Sequence, residues 1–370
     1  MEVQKYMKLC YLANARSVHT QKWVRFFAEK GHEVHLISVE PFELPGVILH
    51  HLKPLTHAPR AVVLIVLMFQ IRKLLKRIQP DVLHAHYAPS YGFWGALTRF
   101  IPFVFTAWGS DILIDPGRSR FRKWKVQHVL NRADLVTCDA QHVIDEMVRL
   151  GCDERKIRLV CFGVDSERFK PDAQDESFKR DLGLPLDSLV VLSARNLIPL
   201  YDVESLIRAV PRVLTKVPRV RFLIFGNGEQ RNYLCDLAIS LGVGEAVRFL
   251  GFVPNSQLPR YLASVDVYVS TALSDGGIAA STAEAMAAGL PVVVTDVADN
   301  RRWVRDGEGG FLVPASNPEA LADKISFLLE NQALRRSFGA INRKVIQERN
   351  EYRTQMELME RLYRELLEVR

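Results

Sequence analysis

The feature that most limits what this chain can fold into is a rhythm of short, strongly apolar runs alternating with longer amphipathic ones, and the rhythm runs through twice. Lys8 to Leu12, Glu33 to Ser38, Val82 to Ala85, Phe103 to Thr106, Leu135 to Cys138 and Ile157 to Cys161 have strand length, with helical stretches between most of them. One such helix is predicted over Thr20 to Lys30; it puts Trp23, Phe26 and Phe27 on one side, and Gly31 stops it. Gly163 to Pro185 is polar, charged and punctuated by Pro171, Gly183 and Pro185, and is read as a linker. A second series follows: Leu189 to Ala194, Val220 to Phe225, Val247 to Leu250, Val265 to Ser270 and Pro291 to Thr295. Helices are expected from about Val203, Gln230, Gln257, Thr282 and Pro318. Such βαβ alternation gives a parallel sheet with helices on both faces. The expected fold is therefore α/β, two doubly wound domains facing each other. Ligands in these sheets sit beyond the carboxyl ends of the strands, which places the expected site in a cleft between the domains.

Composition narrows the function classes. The 370 residues, 48% hydrophobic and 25% charged, suffice for two domains with separate cores. The longest uncharged apolar run, Ala61 to Phe69, is about half of the ~20 residues a membrane span needs. Met1 to Lys8 is charged and precedes only a short apolar stretch, so it does not read as a signal peptide. The cysteines Cys10, Cys138, Cys152, Cys161 and Cys235 are odd in number and lack Cys-x-x-Cys spacing, which reads as reduced thiols in a cytoplasmic protein. A net charge of +7 suits anionic partners. Much of it clusters at Arg72, Lys73, Lys76 and Arg77, and again in Arg118-Ser-Arg-Phe-Arg-Lys-Trp-Lys125. These are either solvated helix faces or an apron for anionic lipid or a lipid-phosphate acceptor, which would make the protein peripheral on the inner face of the membrane. No nucleic-acid motif accompanies the charge, so nucleic acid is not expected as a partner.

Familiar cofactor motifs are missing. The turn after the first strand, Asn14 to His19, has no glycine, and Gly226-Asn-Gly228 is followed by Glu229-Gln-Arg with no third glycine. A Gly-x-x-x-x-Gly-Lys-Ser/Thr loop is also absent. The informative stretch is Ser274 to Asp296, which follows a strand and opens a helix. Its pair Gly276-Gly277 lets backbone approach a ligand, and the N–H groups of a helix start favour phosphate. Glu284 is placed in the first turn of that helix, where a carboxylate can accept from both hydroxyls of a ribose. Equally, Ser281-x-x-Glu284 spells a capping box, in which the acid only closes the helix start.

Taken with other segments, this stretch resembles the retaining glycosyltransferases of the GT-B fold, family 4 (glycosyl transferases group 1). The resemblance covers essentially the whole chain. It rests on Gly163-Val-Asp-Ser-Glu-Arg-Phe-Lys-Pro171, Arg195 at the end of a strand, Phe225-Gly-Asn-Gly-Glu229, Val247-Arg-Phe-Leu-Gly-Phe-Val253 and Glu284 to Val294, with Ser17 to Thr20, His84-Ala-His-Tyr87 and Thr106-Ala-Trp-Gly-Ser-Asp111 toward the amino terminus. It implies two Rossmann-like domains: 1–165 with a returning helix in 350–370 on the acceptor side, and 166–349 binding a nucleotide sugar. Met356, Met359, Leu362, Tyr363 and Leu366 recur at helical spacing in that last helix and need a surface to cover.

The activity implied is transfer of a hexosyl group from a UDP- or GDP-sugar to a glycan or lipid-linked hydroxyl with retention, as in cell-surface polysaccharide or glycolipid synthesis. Glu284 would hold the ribose, while Arg195 and the backbone at Gly276 and Gly277 would stabilise the leaving diphosphate. Tyr201, Gly226, Asn227, Phe252, Val253, Asp275 and Ile278 complete the implied donor side; His19, His86, Trp108 and Asp111 form the implied acceptor side, with His86 and Asp111 as catalytic candidates. There is no Asp-x-Asp pair, so no metal or cofactor is expected, and a helix N-terminus with Arg195 would neutralise the diphosphate.

Three positions depart from the family pattern. Tyr201 stands near the usual lysine, Gly276 stands where the first of two paired acids belongs with Asp275 beside it, and Trp108 replaces a frequent histidine. We assign His84 and His86 to opposite faces of their strand, leaving one of them structural. Asp111 is either an acceptor ligand or the N-cap of the next helix. His32, His35, His50, His51 and His57 read as loop or surface residues. Two other functions remain open: a sugar-nucleotide epimerase and a non-catalytic nucleotide-sugar binder.

Overall fold

The computed structural model describes residues 6–55, 57–171 and 177–368. The chain divides into two compact units, Met1–Phe162 with Thr354–Arg370, and Gly163–Arg353. The break precedes the segment read as a linker. Val164 N–H donates to Asn350 O and Tyr352 N–H to Val164 O, so the start of that segment is tied into the second unit.

The first unit holds seven strands: β1 Lys8–Leu12, β2 Glu33–Ser38, β3 Val47–His51, β4 Val82–His86, β5 Phe103–Thr106, β6 Leu135–Cys138 and β7 Ile157–Leu159. They form one sheet in the order β3-β2-β1-β4-β5-β6-β7, every pair parallel. The second unit holds β8 Val190–Ala194, β9 Arg221–Phe225, β10 Val247–Gly251, β11 Val267–Ser270, β12 Val292–Thr295 and β13 Gly310–Val313. Its order is β10-β9-β8-β11-β12-β13, again all parallel. Parallel strands are covered on both faces by their crossover helices, so β4, β5, β6, β11 and β12 are buried along their whole length. Each sheet therefore has its own apolar core.

Strand order also locates the sites. In the first sheet the chain adds β2 and β3 to one side of β1, and β4 to β7 to the other, so the direction reverses between β1 and β4. In the second sheet it reverses between β8 and β11. The helices leaving the two strands at a reversal go to opposite faces and open a crevice at the carboxyl end.

The helix Tyr352–Glu368 packs onto the first unit from Thr354 onward. Met356, Met359, Leu362 and Tyr363 are buried, and each such side chain contributes on the order of 1.5–3 kcal/mol by leaving water. The Tyr363 hydroxyl lies 3.0 Å from Tyr11 Oη and 2.5 Å from His84 Nδ1. Glu360 accepts from Lys30 Nζ at 2.5 Å and from Arg364 Nη2 at 2.7 Å, and lies 3.3 Å from His32 Nε2. Burial opposes ionisation of Glu360, but the hydrogen bonds from Lys30 and Arg364 outweigh it and hold the carboxyl at about 2. His32 is thus a buried part of this anchor, and His35 is buried too, stacked on His50 with Nδ1 2.9 Å from His50 Nε2. His32 lies in the loop before β2, as expected, though buried there; His35 lies inside β2 and is neither loop nor surface, because neighbouring elements cover that strand.

Candidate active site

In the second sheet, Arg195 is the first residue after β8 and Asp275 lies in the loop leaving β11, one on each side of the reversal. Arg195 Nη2 donates to Asp275 Oδ1 at 2.6 Å, and only 8% and 12% of the two side chains is exposed. The same guanidinium stacks 4.0 Å from the centroid of the Tyr201 ring. Burial works against the charge on Arg195. Asp275, with the phenols of Tyr268 and Tyr201, more than offsets it and raises the guanidinium pKa above its ordinary value. The arginine is therefore a fixed cation, and Tyr201 gives it a π face in place of a second positive charge.

Backbone contacts fix this group from several directions. Leu273 N–H donates to Leu200 O at 2.9 Å and Thr271 Oγ1 to Tyr201 O at 2.9 Å, sewing the loop after β11 to the loop after β8. The turn Gly226-Asn-Gly228 docks on the Arg195–Leu197 backbone, with Leu197 N–H donating to Asn227 O at 3.0 Å. A Cβ at Gly226, whose φ is +103°, would lie 2.2 Å from Arg195 O, and one at Gly228 would lie 2.1 Å from Leu197 O. Only glycine permits so close an approach. Gly226 N–H in turn donates to Gly251 O, which brings the end of β10, with exposed Phe252 and half-buried Val253, beside the turn.

Asp275 leads through Gly276, Gly277 and Ile278 into the helix Ala280–Ala287. The helix starts earlier than Ser281 and its N-cap is Ala279, with no side-chain cap bond. Glu284 therefore sits in the second turn, not the first, and the capping box does not form. The Ser281 hydroxyl is engaged otherwise, accepting from Tyr268 Oη at 2.7 Å. Glu284 is buried, at 6% exposure. Tyr268 escaped the sequence reading: from inside β11 it touches the helix start through Ser281 and lies in the field of Arg195. The signal was a hydroxyl-bearing ring between the two valines of the strand.

In the first sheet, His86 closes β4, His19 lies in the first turn of the helix Val18–Glu29 that follows β1, and Trp108 lies in the loop after β5. Residues two apart on a strand share a face, and the rings of His84 and His86 are 4.8 Å apart, so their assignment to opposite faces is wrong. Surroundings separate them instead. His84 is held by Tyr363 Oη at 2.5 Å and Thr106 Oγ1 at 2.6 Å. Neither ring nitrogen of His86 has a hydrogen-bond partner among the described residues.

His86 packs 5.3 Å from Trp23 and 5.9 Å from Trp108, and His19 packs 4.5 Å from Phe162 and 5.8 Å from Trp108. Burial, then the nearby His19, lowers His86 to about 3; burial, then Lys22, lowers His19 to about 4. Both imidazoles are neutral near pH 7. Trp23, expected on the apolar side of its helix, and Phe162, on which the sequence reading made no assignment, are members of this cage. Asp111 is no N-cap, since Gly109 holds that place. Fully buried, it accepts from Ala88 N–H at 2.8 Å and Trp108 N–H at 2.9 Å, stapling the loops after β4 and β5. Burial raises its carboxyl to about 6 against those backbone bonds.

Among the described residues no group of three or more His, Cys, Asp or Glu is arranged to hold a metal ion. No helix among them is long and apolar enough to cross a membrane.

The geometry, two parallel sheets each with polar or aromatic residues gathered at its reversal, can be set beside known proteins. Residues 174–345 match the family described as glycosyl transferases group 1, and residues 8–140 match glycosyl transferase 4-like. A phosphatidyl-myo-inositol mannosyltransferase of Mycobacterium leprae is 30% identical over 276 residues, covering 73% of this chain and 70% of that protein. An uncharacterized glycosyltransferase of Methanocaldococcus jannaschii is 26% identical over 343 residues, 86% of each chain. The solved structure of Anabaena HepE in complex with UDP-glucose has a TM-score of 0.82 at 20% identity, covering 96% of this chain and 99% of that one, which bears on the fold. With both halves of the chain matched in sequence and both sheets matched in fold, the chain belongs to the group 1 glycosyltransferases, transferase enzymes of the GT-B fold.

Proposed function

We propose that the enzyme transfers a hexosyl group from a UDP-sugar, with retention, to a hydroxyl of a glycan or lipid-linked acceptor. One observation carries the donor assignment: a nearly buried, permanently charged Arg195 stands at the strand reversal of the second sheet, where such folds take their ligands. Glu284, buried in the second turn of the helix that the Gly276-Gly277 loop leads into, is the ribose ligand in this reading. The solved complexes of HepE with UDP and with UDP-glucose support a uridine nucleotide. In the reaction the acceptor oxygen bonds to the anomeric carbon as the bond from that carbon to the diphosphate breaks. The electron pair leaves on the diphosphate, and the acceptor proton departs with it. Arg195 and the N–H groups of Gly276 and Gly277 stabilise the charge that develops there. No metal is required in this scheme.

The acceptor belongs to the cage of His19, His86 and Trp108, with Asp111 holding the loops that shape it. The relative from Mycobacterium leprae is named for a phosphatidylinositol acceptor, which supports a lipid-linked one here and a place on the inner membrane face. The helix Arg60–Ile78 carries no acid and exposes Ile65 and Phe69 with Arg72, Lys73, Lys76 and Arg77, a composition suited to anionic lipid. The direct test is donor hydrolysis by the full chain across UDP-, GDP- and ADP-sugars, with and without EDTA. Turnover of a UDP-sugar that survives EDTA is expected. Preference for another base, or loss with EDTA and recovery with manganese, would overturn the corresponding part.

A further inference from the structure

We propose that Asp275 is an exchangeable counter-ion. It holds Arg195 while the site is without donor, gives the arginine up to the donor diphosphate, and reclaims it as the nucleoside diphosphate leaves. This rests on the reading of the second sheet's reversal as the donor site, and it assigns Asp275 a role opposite to that of a donor ligand.

The argument is one of charge. The Arg195–Asp275 pair is neutral as a unit, with a contact of 2.6 Å and both side chains nearly buried. Tyr201, 4.0 Å from the guanidinium, contributes a ring and no charge. A diphosphate brought to Arg195 carries two negative charges and meets a carboxylate already in contact with the same guanidinium. Like charges brought into contact with one cation repel each other, and more strongly where protein partly excludes water. The carboxylate and the diphosphate therefore compete for one cation.

The local backbone decides which of them can move. Arg195 is clamped by the Gly226-Asn-Gly228 turn, where even a methyl group would collide with its carbonyl. Asp275 precedes the flexible pair Gly276-Gly277, in the loop that Leu273 N–H ties to Leu200 O. The arginine stays and the aspartate swings. Release of the product is then assisted: as the diphosphate loosens, a carboxylate tethered within reach takes its place at high effective concentration.

Asp275→Asn keeps the shape and removes the charge. Binding of UDP and of uridine to the wild-type chain and to this variant would be measured by calorimetry, with transfer rate and Tm alongside. The expected result is UDP bound about tenfold more tightly by Asp275→Asn, uridine bound equally by both, and a lower kcat as product release slows. Equal or weaker UDP binding by the variant would overturn the proposal, and so would a parallel change for UDP and uridine, which marks a merely structural role. Should the variant melt too early to assay, the salt dependence of wild-type UDP affinity decides: an exchange of one anion for another leaves it shallow, and a steep dependence overturns the proposal. Failure of the donor-site reading looks different: wild type would then bind no UDP, or Arg195→Ala would bind it as wild type does.

Discussion

The crevices at the two strand reversals are built from opposite materials. In the second unit the centre is a fixed charge: Arg195, its counter-ion Asp275 and the ring of Tyr201. In the first it is a cage of rings without a charge at its heart, where His86 and His19 are neutral because burial outweighs their basicity. The same sheet geometry thus serves two kinds of recognition. In the proposed function the charged crevice receives an anion and stabilises charge as a bond breaks. The other offers apolar faces and polar ring edges, suited to hydroxyl-bearing rings.

The sharpest way to break that contrast is to remove the charge. Arg195→Ala should lower the transfer rate on the order of a hundredfold to a thousandfold, as loss of an oxyanion-stabilising donor does elsewhere. Steady-state rates with saturating donor check this, with Tm reporting whether the fold survives. A rate near wild type would make the second crevice no more electrostatic than the first.

A smaller effect, in stability, belongs to the first crevice. His86 and His19 have folded values of about 3 and about 4, below the ordinary 6.5. The unfolded chain therefore binds protons that the folded chain refuses. Stability is complete above about pH 6.5 and falls as pH drops toward 4, by roughly 1.4 kcal/mol per pH unit for each such histidine. Tm measured from pH 8 to pH 4.5 should show the loss, and His86→Phe should make the curve shallower. An unchanged curve would mean that His86 is protonated without penalty and that the cage is not neutral.

The smallest effect concerns the exposed helix Arg60–Ile78. Each basic side chain near an anionic membrane contributes about 1 kcal/mol, so Lys73→Ala with Lys76→Ala should weaken binding to phosphatidylserine vesicles by up to about thirtyfold and leave neutral vesicles unaffected. Equal binding to both vesicle types would reduce these lysines to solvated surface.

Most of the architecture was legible in the sequence because buried parallel strands are continuous apolar runs. The strands that escaped, β3 and β13, are both at sheet edges. Val47–His51 is nowhere fully buried, and Gly310–Val313 is four residues long and opens on glycine, so neither carries the signal of a central strand. The site was legible as a set of residues and less so as geometry. Asp275 was found, but its partnership with Arg195 joins loops far apart in sequence. The start of the Glu284 helix was misplaced because Ala279, a residue with no capping group, begins it, while the conspicuous Ser281 hydroxyl serves Tyr268. His84 and His86 differ only in what surrounds them, which no local pattern records.

The central claim is that Glu284 grips the donor at the second crevice, and Glu284→Gln tests it most directly. Glutamine keeps the shape and gives up the charge. A charge-assisted hydrogen bond contributes about 1.5–3 kcal/mol, so donor affinity or transfer rate should fall on the order of tenfold to a hundredfold while Tm stays close to wild type. Calorimetric UDP-sugar binding, initial rates and melting curves on the same preparations give all three numbers. Wild-type affinity and rate in Glu284→Gln would contradict the account and place the donor elsewhere.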